Sequence, residues 1–173
     1  GDLGEFTRDG LRILGRKDGA FKLTTGEKVH PQRVENTLVN ESPFIGTAVV
    51  IGSGKDFVST LVFPDFVRLQ AWADEQGIHA PVLTDDPTIR ELFATEVARI
   101  NPRIEVKYQR VRRVILAGRD PSLERGELTP SAKIVRQRVF DSFKHEIEEL
   151  FKSVPSDLVI EIQEQPLAGE LAR

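Results

Sequence analysis

Cysteine and methionine are both absent from this 173-residue chain, and Trp and Tyr occur once each. The lack of Cys excludes disulfides, thiolate zinc sites, iron–sulfur clusters and thiol nucleophiles together. Histidine is scarce too: His30, His79 and His145 stand far apart, which argues against a His-rich metal site. No apolar run approaches the roughly 20 residues of a membrane-spanning helix, and no signal peptide opens the chain. Neither sign of charge is in large excess. With 24 Lys and Arg against 27 Asp and Glu, the net charge of −3 argues against non-specific binding to nucleic acid or anionic membrane. Met is missing from position 1 as well, so the chain is expected to be a piece of a longer protein.

What is present is an ordinary soluble composition, 39% hydrophobic and 29% charged, enough to bury a core. Residues 1–16 read as a β-hairpin: Asp9-Gly10 is a turn signal flanked by Leu3 and Phe6, then by Leu11, Ile13 and Leu14. A short loop there sets Asp2 opposite Arg16 or its neighbour. Residues 20–30 form a second candidate hairpin with Thr25-Gly26 at its tip. Pro31 opens a helix with Val34, Leu38 and Val39 on one stripe. Strands are expected at Thr47–Ile51 and Phe57–Phe63. A helix capped by Asp65 carries Phe66, Leu69 and Trp72, and another from Pro87 carries Ile89, Leu92, Phe93, Val97 and Ile100. Val106–Leu116 reads as a strand whose Arg110, Arg112 and Arg113 lie at an edge or on a solvated face. A long helix from about Lys133 to Lys152 follows, packing on the sheet through Val135, Val139, Phe140, Phe143, Ile147, Leu150 and Phe151. One more strand is expected within Leu158–Ile162. The pattern predicts an α+β fold, a small mixed or antiparallel sheet with flanking helices.

Several tempting signals have plainer readings. Gly52-Ser53-Gly54-Lys55-Asp56 follows a strand, but a phosphate-binding loop needs Ser or Thr after the lysine and then a helix. Asp56 and a strand come instead, so this is a hairpin loop. His30 and His145 have no nucleophile or ligand partner at a recognisable spacing. The basic strand around Lys107–Arg113 lacks the interleaved aromatics of a nucleic-acid surface.

Two segments carry more. One runs Gly1-Asp2, Gly15-Arg16-Lys17-Asp18, then Lys22-Leu23-Thr24-Thr25-Gly26-Glu27-Lys28-Val29-His30-Pro31 and Val34-Glu35; the other is Gly126-Glu127-Leu128-Thr129-Pro130-Ser131-Ala132-Lys133-Ile134. Together, in this order and at these distances, they resemble the carboxy-terminal part of the AMP-forming adenylating enzymes. That family includes acyl-CoA synthetases, luciferases and peptide-synthetase adenylation domains. The spacing of Lys22-Leu23, Gly26-Glu27, Val29, Pro31 and Glu35 is most similar to the long-chain fatty acyl-CoA synthetase branch, and the resemblance runs to about residue 152.

The resemblance implies roles residue by residue. Asp2 and Arg16 match the residues that grip the adenylate ribose; one carboxylate can accept bonds from two adjacent hydroxyls. Asp18 matches the hinge about which the small domain swings, with Gly19 next to it. Lys133 matches the catalytic lysine of adenylate formation, although the residue before it is Ala132 where the family often has Gly. Gly26, Glu27 and Lys28 match the hairpin that lines the pantetheine channel after the swing, with Lys28 the candidate contact for a CoA phosphate.

The implied reaction activates a fatty acid with ATP to an acyl-adenylate and then transfers the acyl group to CoA, with Mg2+ held mainly by an amino-terminal domain that is not in this chain. Residues 1–17 would then be the last hairpin of that large domain, 18–153 the mobile domain, and 154–173 a tail. The missing domain, fatty acid, ATP and CoA are the expected partners, with no nucleic acid and no transmembrane segment. A cytoplasmic location is expected, compatible with peripheral membrane association. The fragment alone is expected to be inert. Two other readings stand beside this one: an adenylation domain that loads a carrier protein, and a non-catalytic interaction module of the same fold.

Overall fold

Three strands with apolar residues on both faces decide how the chain is layered. The computed structural model describes residues 2–7, 10–16 and 19–163, with side chains described over 19–163. The chain opens with β1 (Asp2–Thr7) and β2 (Gly10–Arg16), then β3 (Phe21–Lys22) and β4 (Lys28–Val29). Helix α1 (Pro31–Glu41) leads to β5 (Ile45–Ile51) and β6 (Val58–Pro64), followed by α2 (Phe66–Glu75) and α3 (Pro87–Ile100). After β7 (Val111–Leu116) come α4 (Arg136–Ser142), α5 (Lys144–Glu149) and β8 (Ile160–Glu161).

The four-stranded sheet has the order β5-β6-β7-β8. β5 and β6 are antiparallel, β6 and β7 parallel, and β7 and β8 antiparallel. A parallel pair needs a long crossover, and α2 and α3 supply it. Successive strand residues point to opposite faces. Val50, Val58, Val62, Val114 and Leu116 accordingly meet Val34, Leu38, Leu69, Ile89, Phe93 and Val97 of α1, α2 and α3. On the other face Val49, Ile51, Leu61, Phe63 and Ile115 meet Val139, Phe143 and Leu150 from the α4–α5 region. β6 is therefore buried along its whole length. The mixed sheet with helices on both faces fits the expected fold class.

Local chemistry sets the starts of α1, α2 and α3. The Asp65 carboxylate accepts from Arg68 N–H at 3.1 Å, and Asp86 accepts from Thr88 and Ile89 N–H at 2.8 and 3.2 Å. Such caps satisfy amides that a helix start leaves free. Pro31 and Pro87 sit in first turns, where the missing N–H costs nothing.

Three expectations need correction. The strand expected over Val106–Leu116 begins only at Val111, and Lys107–Gln109 is a 3-10 turn. The Asn101 side chain donates to Val111 O at 2.8 Å and accepts from Val111 N at 3.0 Å, imitating a strand partner and fixing where pairing starts. β7 is also not a charged edge, because β8 pairs with it. Arg113 is mostly buried, donates to the carbonyls of Leu150 and Lys152, pairs with Glu161 and lies over the Phe57 ring. Finally, the long helix expected from Lys133 to Lys152 starts at Arg136 and breaks at Phe143 (φ −114°, ψ 28°). The i to i−4 bonds Phe143 N to Val139 O and Ile147 N to Phe143 O survive the break, so the apolar stripe is uninterrupted. At the break the Phe143 ring packs edge-on against Phe63 at 5.4 Å.

Phe93 lies at the centre of the three-helix face and is fully buried. Phe93→Ala is expected to lower the unfolding free energy by about 3–5 kcal/mol, read from the urea midpoint of the chain followed by circular dichroism. A loss below about 1 kcal/mol would show that this face is not close-packed.

Candidate functional site

The residues singled out in the sequence fall on three structural units. The first is the β1–β2 hairpin, whose register sets Asp2 opposite Arg16, with an irregularity between Leu3 and Gly4. The sequence expectation for this pairing is met at the level of the backbone. Asp9, at the expected turn, and Asp18, the expected hinge, lie outside the described residues. Gly19 follows with φ +62°, in the left-handed region that favours glycine. A Cβ there would also come within 3.0 Å of Arg136 Nε.

The second unit is the β3–β4 hairpin. Phe21 pairs with Val29 and Lys22 with Lys28, and Leu23 N donates to Glu27 O at 3.0 Å. The turn places Gly26 at φ +86° with open space around it, so backbone conformation rather than crowding calls for glycine. Glu27 accepts from the Thr25 hydroxyl at 2.6 Å, a local pairing that holds its carboxylate beside the tip. Lys28 is exposed, and its carbonyl accepts from Tyr108 Oη at 3.3 Å and Gln109 Nε2 at 3.4 Å. The tip is also braced from below. Thr24 N donates to Lys55 O at 3.0 Å, Gly54 N donates to Lys22 O at 2.9 Å, and the Thr24 hydroxyl donates to Asp56 at 2.6 Å. The glycine-rich β5–β6 loop is thus a support for this hairpin.

The third unit is the loop that carries Lys133. Val135 N donates to Glu127 O at 2.8 Å, Leu128 bridges Ile134, and Thr129 N donates to Lys133 O at 2.8 Å. The Thr129 hydroxyl accepts from Lys133 N at 3.1 Å, and Ala132 N donates to Thr129 O at 2.8 Å. Residues 127–135 therefore form a miniature hairpin rather than the first turn of a helix. Ala132 has φ +59°, a conformation that glycine adopts more easily. Lys133 is exposed, and among the described residues its ammonium has no ion-pair partner.

Two ion pairs anchor this loop, and neither was legible beforehand. At its base Glu127 is wholly buried, and both its oxygens face Arg119, at 2.6 and 2.7 Å. Hydrogen bonding from Arg119 holds the carboxyl down at about 2, against an ordinary 4.5; burial opposes this, and Ser142 and the Ser122 N–H reinforce it. Beyond the loop, Arg136 Nη2 lies 2.6 Å from each oxygen of Glu35 on α1, and Glu35 also accepts from Val50 N at 2.8 Å. Glu127 and Glu35 stand within the motifs read from the sequence, but nothing in their spacing announces an arginine partner. No hydrogen bond or ion pair joins Lys133 to the Thr24–Lys28 tip among the described residues. These residues also hold no cluster of three or more His, Cys, Asp or Glu suited to a metal ion, and no helix among them is long and apolar enough to cross a membrane.

Comparison with known proteins places this architecture. The family model described as the AMP-binding enzyme C-terminal domain matches residues 18–155. Long-chain-fatty-acid–CoA ligase 1 of Cavia porcellus is 29% identical over 158 residues, covering 89% of this chain and 23% of its own length. A putative fatty-acid–CoA ligase of Mycobacterium tuberculosis is 30% identical over 159 residues, covering 88% and 27%. The chain thus spans about a quarter of the length of these curated relatives. Among solved structures, the adenylation domain of a carboxylate reductase from Mycobacterium chelonae superposes with a TM-score of 0.64 at 22% identity, over 87% of this chain and 22% of that one. The corresponding domain from Segniliparus rugosus, in complex with AMP and a co-purified carboxylic acid, gives 0.63 at 19% identity, over 87% and 22%. These likenesses concern the fold. Together with the family match over most of its length, they lead to one assignment: the chain belongs to the family of AMP-binding enzyme C-terminal domains.

Proposed function

We propose that this chain is the mobile domain of an ATP-dependent, AMP-forming ligase that joins a fatty acid to CoA, and that it serves two half-reactions with two different surfaces. The observation that carries this reading is that Lys133 and the Gly26–Lys28 tip stand on two separate braced loops. Each ends in an exposed ammonium without an ion-pair partner among the described residues. A single catalytic centre could use both only in turn, and a hinge at Asp18 is the device that would present them alternately.

In the first half-reaction the Lys133 ammonium lies against the carboxylate and the bridging phosphate oxygen. Charge shifts between those oxygens as the acyl-adenylate forms, and a fixed cation there stabilises the transition state electrostatically. Asp2 and Arg16, held opposite each other by hairpin register, take the ribose hydroxyls. After rotation the Thr24–Lys28 tip replaces the lysine loop. Gly26 presents bare backbone beside pantetheine, Glu27 stays with Thr25, and Lys28 meets a CoA phosphate. The described residues do not form an acidic cluster fit for Mg2+, so that ion would be held outside them and no step here runs through it. Likeness to long-chain fatty-acid–CoA ligases supports a fatty acid as substrate and CoA as acceptor.

Lys133→Ala in the full-length protein is expected to abolish acyl-adenylate formation while sparing thioester formation from supplied acyl-adenylate. Pyrophosphate release and CoA-ester formation, measured separately, test this; equal loss of both would sink the assignment of Lys133. Lys28→Glu is expected to raise the apparent KM for CoA by about tenfold or more, on the scale of a lost charge-assisted bond. An unchanged KM would remove Lys28 from the acceptor site. The isolated 173-residue chain is expected to form no acyl-CoA, and measurable product from it would overturn the two-domain reading.

A further inference from the structure

Glu127 is a fully buried carboxylate that no step of the proposed reaction uses. Its surroundings nevertheless lead to the Lys133 loop. The side chain takes Arg119 Nη2 on Oε1 at 2.6 Å; Oε2 takes Arg119 Nη1 at 2.7 Å and Ser122 N at 2.8 Å. Its own backbone closes the base of the loop, with Glu127 N donating to Ser122 O at 2.9 Å and Glu127 O accepting from Val135 N at 2.8 Å. The Arg119 guanidinium lies 4.7 Å over the Phe143 ring, and that ring packs edge-on against Phe63 of β6 at 5.4 Å. An unbroken series of contacts therefore runs from the central sheet through Phe143, Arg119 and Glu127 to Thr129, whose hydroxyl and amide hold Lys133.

We propose that Glu127 is a positioning residue for Lys133. Its carboxylate, clamped by Arg119, fixes the base of the 127–135 hairpin to the sheet and so sets where the lysine ammonium stands during adenylate formation. This inference rests on the assignment of Lys133 above. The chemistry is specific to a carboxylate. Both oxygens of Glu127 accept, whereas an amide offers one acceptor and a two-donor nitrogen. In either orientation of a glutamine, that nitrogen would face a donor: Arg119 Nη2 on one side, Arg119 Nη1 and Ser122 N–H on the other. Glu127→Gln therefore keeps the volume of the side chain and breaks the clamp.

In the full-length protein, Glu127→Gln is expected to slow acyl-adenylate formation by about a hundredfold, the scale of a small misplacement transmitted to a reacting group. The KM for ATP should stay nearly constant, because the lost contact belongs to the transition state. Thioester formation from supplied acyl-adenylate should be unaffected. Arg119→Lys, which keeps the charge, should retain more adenylation than Arg119→Gln. The double variant Glu127→Gln/Arg119→Gln should lose no more than the worse single, since both act through one pair. Unchanged adenylation in Glu127→Gln, or equal decline of both half-reactions, would overturn the inference. If Glu127→Gln does not fold, Arg119→Lys decides in the same assays: a loss confined to adenylation supports the clamp, and an equal loss or none refutes it. Lys133→Ala is run alongside. If it retains adenylation, the reading of Lys133 fails and this inference with it. If it alone loses adenylation, only the role of Glu127 falls.

Discussion

Strand β6 is buried at all seven of its positions, so neither face of the central sheet can be left to water. Each apolar side chain there is worth roughly 1.5–3 kcal/mol when fully enclosed, and enclosing both faces needs helices on both sides. α1, α2 and α3 do this on one face, and the shorter α4 and α5 on the other. Outside these layers, the Lys133 loop and the β3–β4 hairpin with its Gly26–Lys28 tip stand exposed, yet each is tied back by defined hydrogen bonds.

Burial of ionic groups on this scale is otherwise unfavourable, since removing a charge from water costs several kcal/mol that a partner must offset. Glu127 is offset by a two-pronged guanidinium contact plus a backbone amide, and Glu35 by Arg136 and the Val50 amide. In both cases the carboxylate's acceptor positions are occupied from more than one direction. Such pairs add little to stability compared with apolar packing, but they tolerate only one geometry. Their placement on either side of Lys133 holds the loop to one shape.

Much of this architecture was legible in the residue pattern. The apolar runs at Thr47–Ile51 and Phe57–Phe63 located β5 and β6, proline and aspartate marked the starts of α1, α2 and α3, and Asp9-Gly10 brought Asp2 opposite Arg16. The failures have a common origin in tertiary contacts. The strand at Val111 starts where the Asn101 side chain bonds its backbone, an interaction with no local sequence signature. Phe143 keeps the helical stripe intact, so periodicity could not reveal the break. Lys133 resembled a helix start because Thr129 and Glu127 hold it through a ladder that only the folded chain displays. At the site, residue types and spacing exposed the loops, while the arginines that brace them lie 8 and 101 positions from their partners and left no trace.

The separation between Glu35 and Arg136 also has a consequence during synthesis. At about 5–20 residues per second, a ribosome needs roughly 5–20 s to travel from one to the other. Throughout that interval the Glu35 carboxylate lacks its counter-charge, and Leu61 and Phe63, then Ile115, lack the helices that will cover them from the moment each is made. The nascent domain therefore emerges with one face of its sheet bare, a surface of the kind that chaperones shield, and it completes its core only when the segment following the Lys133 loop has left the exit tunnel.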